Sequence, residues 1–149
     1  MENVNINFHS ECTFLLKDSK PVIDWLGEVS LSEGKQISQL SYIFCDDSYL
    51  HKINLEFLKH DTYTDIITFD NSSGDELNAD LYISVDRVEE NASNYSVSFQ
   101  NELSRVIVHG LLHLCGYTDK DEHAIDQMRK KENKYLNLLL QKTNNQLFE

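Results

Sequence analysis

Cysteine, proline and basic residues are all scarce in this sequence, and each scarcity excludes a class of protein. The three cysteines are odd in number and widely spaced, which excludes a disulfide scaffold and indicates reduced thiols packed in the core. With one proline and five glycines among 149 residues, the chain has no Pro/Gly-rich linker, so we expect one domain over 1–149. No apolar stretch is long enough to cross a bilayer, and Met1–Asn5 lacks the basic start of a signal peptide. We therefore expect a cytoplasmic protein without a membrane partner.

Basic residues are outnumbered by acidic residues in this sequence. The 13 Lys and Arg residues face 25 Asp and Glu residues, for a net charge of −12. This excludes a protein that simply coats nucleic acid, because neutralisation of phosphates by basic side chains supplies most nonspecific affinity. One basic cluster near the carboxyl terminus is interrupted by acidic residues and predicts a solvated helix face: Arg129, Lys130, Lys131 and Lys134.

Hydrophobic periodicity predicts an α+β fold, in which a central mixed sheet of about four strands packs against helices. The predicted strands lie around Val4, Ile6 and Phe8, and over 37–45, 65–69 and 80–85. The predicted helices run from Pro21 to Gly34, from Asp46 to Leu58, and over 86–95, 99–115 and 121–142. The last of these has a predicted core stripe of Ile125, Met128, Tyr135 and Leu139, interrupted by Glu132.

The most informative segment is His109-Gly-Leu-Leu-His113-Leu-Cys-Gly116-Tyr-Thr-Asp119. Residues four apart share one face of a helix, so both imidazoles can reach one ion. Gly116 breaks the helix, and Asp119 follows it as a further ligand. Three protein ligands with an open fourth position are typical of a catalytic zinc site.

The alternative interpretation is a pair of ordinary core histidines on a buried helix. The residues around the pair are apolar on nearly every face, so the imidazoles need partners that solvent cannot supply. Gly110 weakens the helix by about 1 kcal/mol relative to alanine, which suggests close approach by a strand or a ligand. Metal binding accounts for these features together. A zinc peptidase is disfavoured, because its glutamate directly after the first histidine is replaced here by Gly110.

Three blocks resemble the YbeY family of bacterial endoribonucleases, small zincin-like metalloproteins that mature ribosomal RNA. The first block is Leu55-Glu-Phe-Leu58-Lys-His-Asp61-Thr-Tyr-Thr64-Asp65-Ile-Ile-Thr68-Phe69, with Asn54 at its start. It resembles the family's asparagine-rich helix end followed by a Thr-Asp-Val-Leu-Ser-Phe strand. Ala79-Asp80-Leu-Tyr-Ile-Ser84 is similar to its Gly-Asp-Ile-x-Ile-Ser strand. His109-Gly-x-Leu-His113-Leu-x-Gly-Tyr117 is the most specific of the three.

The sequence departs from the family pattern at two positions. The family usually has a third histidine where this chain has Asp119; aspartate also ligates zinc but favours harder metals such as manganese or magnesium. His123 competes as third ligand if the intervening loop is an insertion, although gapless spacing favours Asp119. The family's arginine, thought to serve catalysis, is replaced by Leu58, and Lys59 or Arg87 could supply that charge.

The resemblance implies a single-strand-directed, metal-dependent endoribonuclease that acts in 16S rRNA maturation and ribosome quality control. It implies one divalent ion per chain, zinc above others, and as partners an rRNA precursor and the small ribosomal subunit; we expect a monomer. Asp65, Asp80 and Lys59 are the catalytic candidates, the two aspartates either as bases or as residues that orient the histidines; strand capping is the alternative for both. Two other functions stay open: a non-catalytic ribosome-assembly factor with a structural metal, and a metal-dependent hydrolase of another substrate.

Overall fold

The structure is a computed structural model that describes residues 5–60 and 62–143. Val4, predicted in the first strand, and Asp61, within the first family-like block, lie outside the described residues. The strands are β1 (Ile6–Ser10), β2 (Gln36–Cys45), β3 (Ile66–Asp70) and β4 (Glu76–Ser84). The helices are α1 (Lys20–Ser32), α2 (Asp47–Leu58), α3 (Val85–Tyr95), α4 (Phe99–Leu114) and α5 (Glu122–Thr143).

The four strands form one mixed sheet in the order β1-β2-β4-β3. β1 pairs with β2 and β2 with β4 in parallel, whereas β3 pairs with β4 in the antiparallel direction after the turn at Gly74. The predicted α+β class with a four-stranded mixed sheet is therefore confirmed. Among the strands of the described residues, β3 lies at the edge of the sheet and pairs only with β4.

One strand begins earlier than the sequence pattern indicated. We expected a strand from Asp80, but β4 already begins at Glu76, so Asp80 lies in mid-strand opposite Phe69. Side chains alternate between the two faces of a strand. Asp80 and Tyr82 therefore point away from the face of Ala79 and Leu81, which is buried in the main core.

The helices divide the apolar residues into two clusters. The larger core contains buried side chains of α1, α4 and α5 together with one face of the sheet, including Trp25, Phe44 and Ile107. A smaller cluster contains Leu50 of α2 and Ile67 of β3. One predicted core residue is wrong: Ile125, in the first turn of α5, is 46% exposed, because the buried stripe of this helix begins only at Met128.

Two buried hydrogen bonds attach the helices around the main core. Trp25 Nε1 donates to the carbonyl of Tyr135 over 2.7 Å and holds α5 against α1. The Tyr42 hydroxyl donates to the carbonyl of Ile107 over 2.9 Å and holds α4 against the sheet. α4, the helix with the two histidines, thus has a fixed position over the sheet.

Gly110 is the point of closest approach between α4 and the strands. A Cβ atom at this position would lie 2.6 Å from Leu81 Cδ2 and 2.9 Å from Ile66 Cδ1, distances that contacts with real side chains do not reach. The expected close approach is confirmed, and its partners are strand side chains. Within residues 5–60 and 62–143, no helix has the length and apolar character needed to span a bilayer.

Candidate active site

A cavity of about 370 Å³ lies along the edge strand β3 and faces α4. The two predicted histidine ligands and the predicted carboxylate all line it: His109, His113 and Asp119. The catalytic candidate Asp65 lines it as well, with Thr64 and Thr68 on either side of it in the chain. Residues from three separate parts of the sequence thus meet at one cavity.

The end of α4 turns the chain back toward this cavity. The amide of Gly116 donates to the carbonyl of His113 and the amide of Tyr117 to that of Leu112, each over 3.1 Å. This pair of bonds is the Schellman motif, which requires the left-handed backbone that Gly116 adopts at φ +109°. The helix therefore ends at Leu114, and three residues beyond Gly116 the chain reaches the cavity wall at Asp119.

A buried carboxylate orients the first histidine. Glu132 of α5 is 5% exposed; one of its oxygens lies 2.7 Å from His109 Nδ1, and the other accepts from Arg105 Nη1 over 2.8 Å. Because Nδ1 is engaged by Glu132, Nε2 is the nitrogen left for a ligand, which is the usual arrangement of a metal-binding histidine with a carboxylate behind it. Sequence reasoning had treated Glu132 only as an interruption of an apolar stripe.

The same contact shifts the acidity of both groups. Burial disfavours the charged form of His109, but the hydrogen bond and the charge of Glu132 outweigh it and raise the pKa of the imidazole. Burial likewise opposes ionisation of Glu132, yet its bonds to His109 and Arg105 lower its pKa. The carboxylate is therefore ionised, and without a bound cation it favours the protonated imidazole.

Asp65 lies beside His109, directly before β3. Burial raises the pKa of its carboxyl group, and the charge of His109 only partly offsets that effect. The Asp65 carbonyl accepts from the amide of Ser84 over 2.9 Å, which fixes the backbone at this point. Asp65 and His109 also line a second cavity of about 150 Å³ together with Glu132 and Arg129, so they stand between the two cavities.

The segment between α2 and β3 forms another wall of the larger cavity. Asn54 is 3% exposed, and its side-chain amide donates to the carbonyl and the hydroxyl of Thr62 over 2.9 and 3.2 Å. Asn54, Thr62 and His60 all line the cavity. Sequence reasoning had left His60 out of the site; its place in the loop next to Thr62 brings it to the wall.

Three predicted site residues lie outside the cavity lining. Asp80 is exposed and points away from α4, because the strand alternation places it on the opposite face of the sheet. Lys59 is the exposed left-handed residue that ends α2, so it lies outside the lining although its neighbours on both sides belong to it. His123 is exposed in the first turn of α5 and does not line the cavity. Arg87, the other candidate for the missing charge, is engaged by Asp47.

The donors at the cavity fit a divalent ion in their chemistry. Two imidazoles and a carboxylate are common ligands of zinc, and His109 is already oriented by Glu132. Among the residues that the structure describes, no three His, Cys, Asp or Glu side chains converge closely enough to form a finished ligand set. Binding of an ion thus requires adjustment of the exposed side chains, His113 and Asp119.

Comparison with known proteins places the chain in a family. The family model described as Endoribonuclease YbeY matches residues 7–140, which include all of the cavity-lining residues. The chain belongs to the YbeY endoribonuclease family. Endoribonuclease YbeY of Christiangramia forsetii is 52% identical over 132 residues, which cover 89% of this chain and 92% of that protein. Its counterpart in Flavobacterium johnsoniae is 52% identical over 127 residues, which cover 85% of this chain and 91% of that protein.

A solved structure extends the YbeY comparison to the fold. The solution structure of TM1509 from Thermotoga maritima matches with a TM-score of 0.63 and 27% identity. The match covers 91% of this chain and 89% of that one. The resemblance inferred from the three sequence blocks is therefore confirmed.

Proposed function

We propose that this YbeY-family chain is a metal-dependent endoribonuclease that hydrolyses phosphodiester bonds of single-stranded rRNA precursors. We propose that it acts in the cytoplasm, in 16S rRNA maturation and ribosome quality control. Its proposed partner there is the small ribosomal subunit. The observation that carries the proposal is the meeting of His109, His113, Asp119 and Asp65 at one cavity, in a chain whose relatives are named endoribonucleases.

His109, His113 and Asp119 would hold the ion, and zinc suits their two nitrogens and one oxygen best. The carboxylate also admits manganese or magnesium. When bound, a divalent ion polarises a phosphoryl oxygen and lowers the pKa of water to about 7. Glu132 supports this site by holding His109 Nδ1 at 2.7 Å, so that the opposite nitrogen would be the one available to an ion.

The charge of the cavity supports dependence on a cation. Neither lysine nor arginine occurs among the described residues that line it, whereas Asp65 and Asp119 both do. A phosphodiester anion would meet only acidic and neutral groups there, apart from the histidines. A bound cation would reverse the local field and make phosphate binding favourable.

Asp65 is the proposed proton acceptor. Its raised pKa brings the carboxyl group closer to neutral pH, where an effective general base titrates. Whether the nucleophile is water or the 2′-hydroxyl of the substrate, a carboxylate at the cavity wall could accept its proton. Asp65 is the described carboxylate at the wall that is not among the proposed ligands.

An assembly factor with a purely structural metal would need a site closed by four protein ligands. His123 would close the site if it bound together with the three proposed ligands, and its place outside the cavity supports an open site. We therefore favour catalysis over the assembly-factor alternative, and we likewise favour RNA over another substrate because of the relatives' names.

The test combines metal content with cleavage of a single-stranded rRNA fragment. We expect about one equivalent of metal in the wild-type protein, and cleavage that a chelator abolishes and added metal restores. His113→Ala and Asp119→Ala should lose both metal and cleavage. His123→Ala is the matched control, because it removes an exposed imidazole of the same chain outside the cavity, and it should retain both.

Two results would contradict the proposal. Metal retained at full occupancy in all three variants would place the ion elsewhere. Metal bound at the expected ligands, without any RNA cleavage by the wild-type protein, would favour the assembly factor or another substrate.

A further inference from the structure

A group of four side chains lies behind the loop that carries Asp119. Glu33, at the carboxyl end of α1, is at its centre, and its side chain is only 9% exposed. One carboxylate oxygen accepts from the Tyr117 hydroxyl over 2.8 Å. The other accepts from Lys131 Nζ over 3.1 Å and from the Tyr135 hydroxyl. We call these four residues the Glu33 cluster.

The cluster joins three parts of the chain that are distant in sequence. Glu33 and Tyr117 are 84 residues apart, and Lys131 and Tyr135 belong to α5. Lys131 Nζ also lies 5.6 Å from the centre of the Tyr117 ring, within the range of a cation–π contact. Tyr117 is therefore held by Glu33 and Lys131 through its side chain and by Leu112 through its backbone.

Fixing Tyr117 limits where Asp119 can be. Two residues of extended chain span at most about 7 Å, so the Cα atom of Asp119 must stay within that distance of Tyr117. Farther along, the Asp121 side chain accepts from the amide of Ala124 and holds the start of α5. Asp119 thus lies in a short loop with both ends held, at the wall of the cavity.

We propose that Glu33 is a positioning residue of the metal site: by holding Tyr117, its carboxylate keeps the Asp119 loop within reach of the ion bound by His109 and His113. This inference rests on the function proposed above. Glu33 is not among the described residues that line the cavity, so it would act through Tyr117 and not as a ligand. Its effect is on the free-energy cost of bringing the third ligand to the ion.

Two tyrosines of the cluster provide a matched test. Tyr117→Phe and Tyr135→Phe each delete one hydroxyl that donates to Glu33, but only Tyr117 lies in the ligand loop. We would measure the affinity for Zn²⁺ by competition with a chromogenic chelator, and the visible spectrum of the Co²⁺ form. Tyr117→Phe should weaken Zn²⁺ binding about tenfold, as loss of groups behind the ligands commonly does, and should alter the Co²⁺ spectrum. Tyr135→Phe should change the affinity by less than about twofold on the same scale.

A second pair of variants compares the charge of Glu33 with that of another glutamate on α1. Glu33→Gln should weaken Zn²⁺ binding at least as much as Tyr117→Phe. Glu28→Gln is the control, because Glu28 also pairs with a lysine of α5, Lys142 at 2.6 Å, and it is not among the described residues that line the cavity. Thermal unfolding of the metal-free variants identifies those that remain folded, and the comparison is made among these.

The outcomes distinguish the two proposals. If Zn²⁺ binds equally well to the wild type and Tyr117→Phe, or if Tyr135→Phe weakens binding as much as Tyr117→Phe, the positioning role is refuted and the metal site stands. If the wild type binds no metal at all, the proposed function fails as well. Weaker binding in Tyr117→Phe and Glu33→Gln, with binding unchanged in Tyr135→Phe and Glu28→Gln, supports the role.

Discussion

Substitution of Glu132 by glutamine tests the link between α5 and the first histidine. Glutamine keeps the volume of the side chain but removes its charge and turns one acceptor oxygen into a donor. That donor would face either His109 or Arg105, both of which are donors in the native contact. The variant therefore loses one hydrogen bond outright and weakens the other.

The size of the effect follows from the burial of the three side chains. The Glu132 side chain is 6% exposed, whereas those of Arg105 and His109 are 20% and 27% exposed. Breaking a fully buried ion pair costs about 3–5 kcal/mol, and a hydrogen bond to a charged group contributes about 1.5–3 kcal/mol. Because both partners of Glu132 keep some solvent access, we expect a loss of about 2–4 kcal/mol in the free energy of unfolding. That corresponds to a fall of roughly 5–15 °C in Tm for a chain of this size.

The assay is thermal unfolding in the presence of a chelator, followed by Zn²⁺ titration of the folded variant. A typical domain is stable by about 5–15 kcal/mol, so the variant should still fold at 25 °C. Its Zn²⁺ affinity should fall about 10- to 100-fold, because His109 loses the partner that sets its orientation. Asp126→Asn is the control on the same helix: its pair with Lys130 is exposed, and we expect a change below about 0.5 kcal/mol. A stability loss without any change in Zn²⁺ affinity would refute the orienting role of Glu132.

Three further predictions concern the surroundings of the site. Gly110→Ala should lower the free energy of unfolding by up to about 2 kcal/mol, because overpacking against Leu81 and Ile66 costs about 1–3 kcal/mol and the gain in helix propensity is about 1 kcal/mol. A higher stability of the variant in urea unfolding would contradict it. Asn54→Ala removes two hydrogen bonds to Thr62, so it should lower the free energy of unfolding by about 1–2 kcal/mol and slow RNA cleavage. Unchanged cleavage would show that this wall of the cavity is not needed for activity. Burial opposes ionisation of Glu33, but hydrogen bonds from the surrounding cluster lower its pKa below 4.5, so its charge stabilises the fold above that pH. The difference in Tm between wild type and Glu33→Gln should therefore shrink as the pH falls below about 4.5. A difference that grows on acidification would contradict the lowered pKa of Glu33.

The sequence alone predicted the parts of the site that depend on local geometry. His109 and His113 share a helix face because the α-helix has 3.6 residues per turn, and this period acts within a few residues of the chain. Gly116 ends the helix because the Schellman motif needs a left-handed residue there. Asp119 follows by a short count of residues, and the structure places all three ligand candidates at the same cavity.

The same local reasoning did not anticipate that Asp80 and Lys59 lie outside the cavity. The start of β4 lies four residues before the predicted one, in a polar stretch that resembles a turn, and this places Asp80 inside the strand. The side-chain alternation then puts it on the face away from α4. Lys59 lies outside the cavity because it ends α2 in the left-handed region, a conformation that nothing in its sequence neighbourhood indicated.

Only the tertiary structure decided which groups stand behind the ligands. Glu132 meets His109 across 23 residues of sequence, and Glu33 meets Tyr117 across 84. Such contacts depend on how α1, α4 and α5 pack over the sheet, and packing follows from the complete set of buried side chains. Periodicity describes which face a residue occupies on its own element, whereas the neighbour of that face is determined by the packing of all elements together. For this reason the sequence indicated the ligand candidates of the proposed ion, and the residues that we propose to position them became visible only in the folded chain.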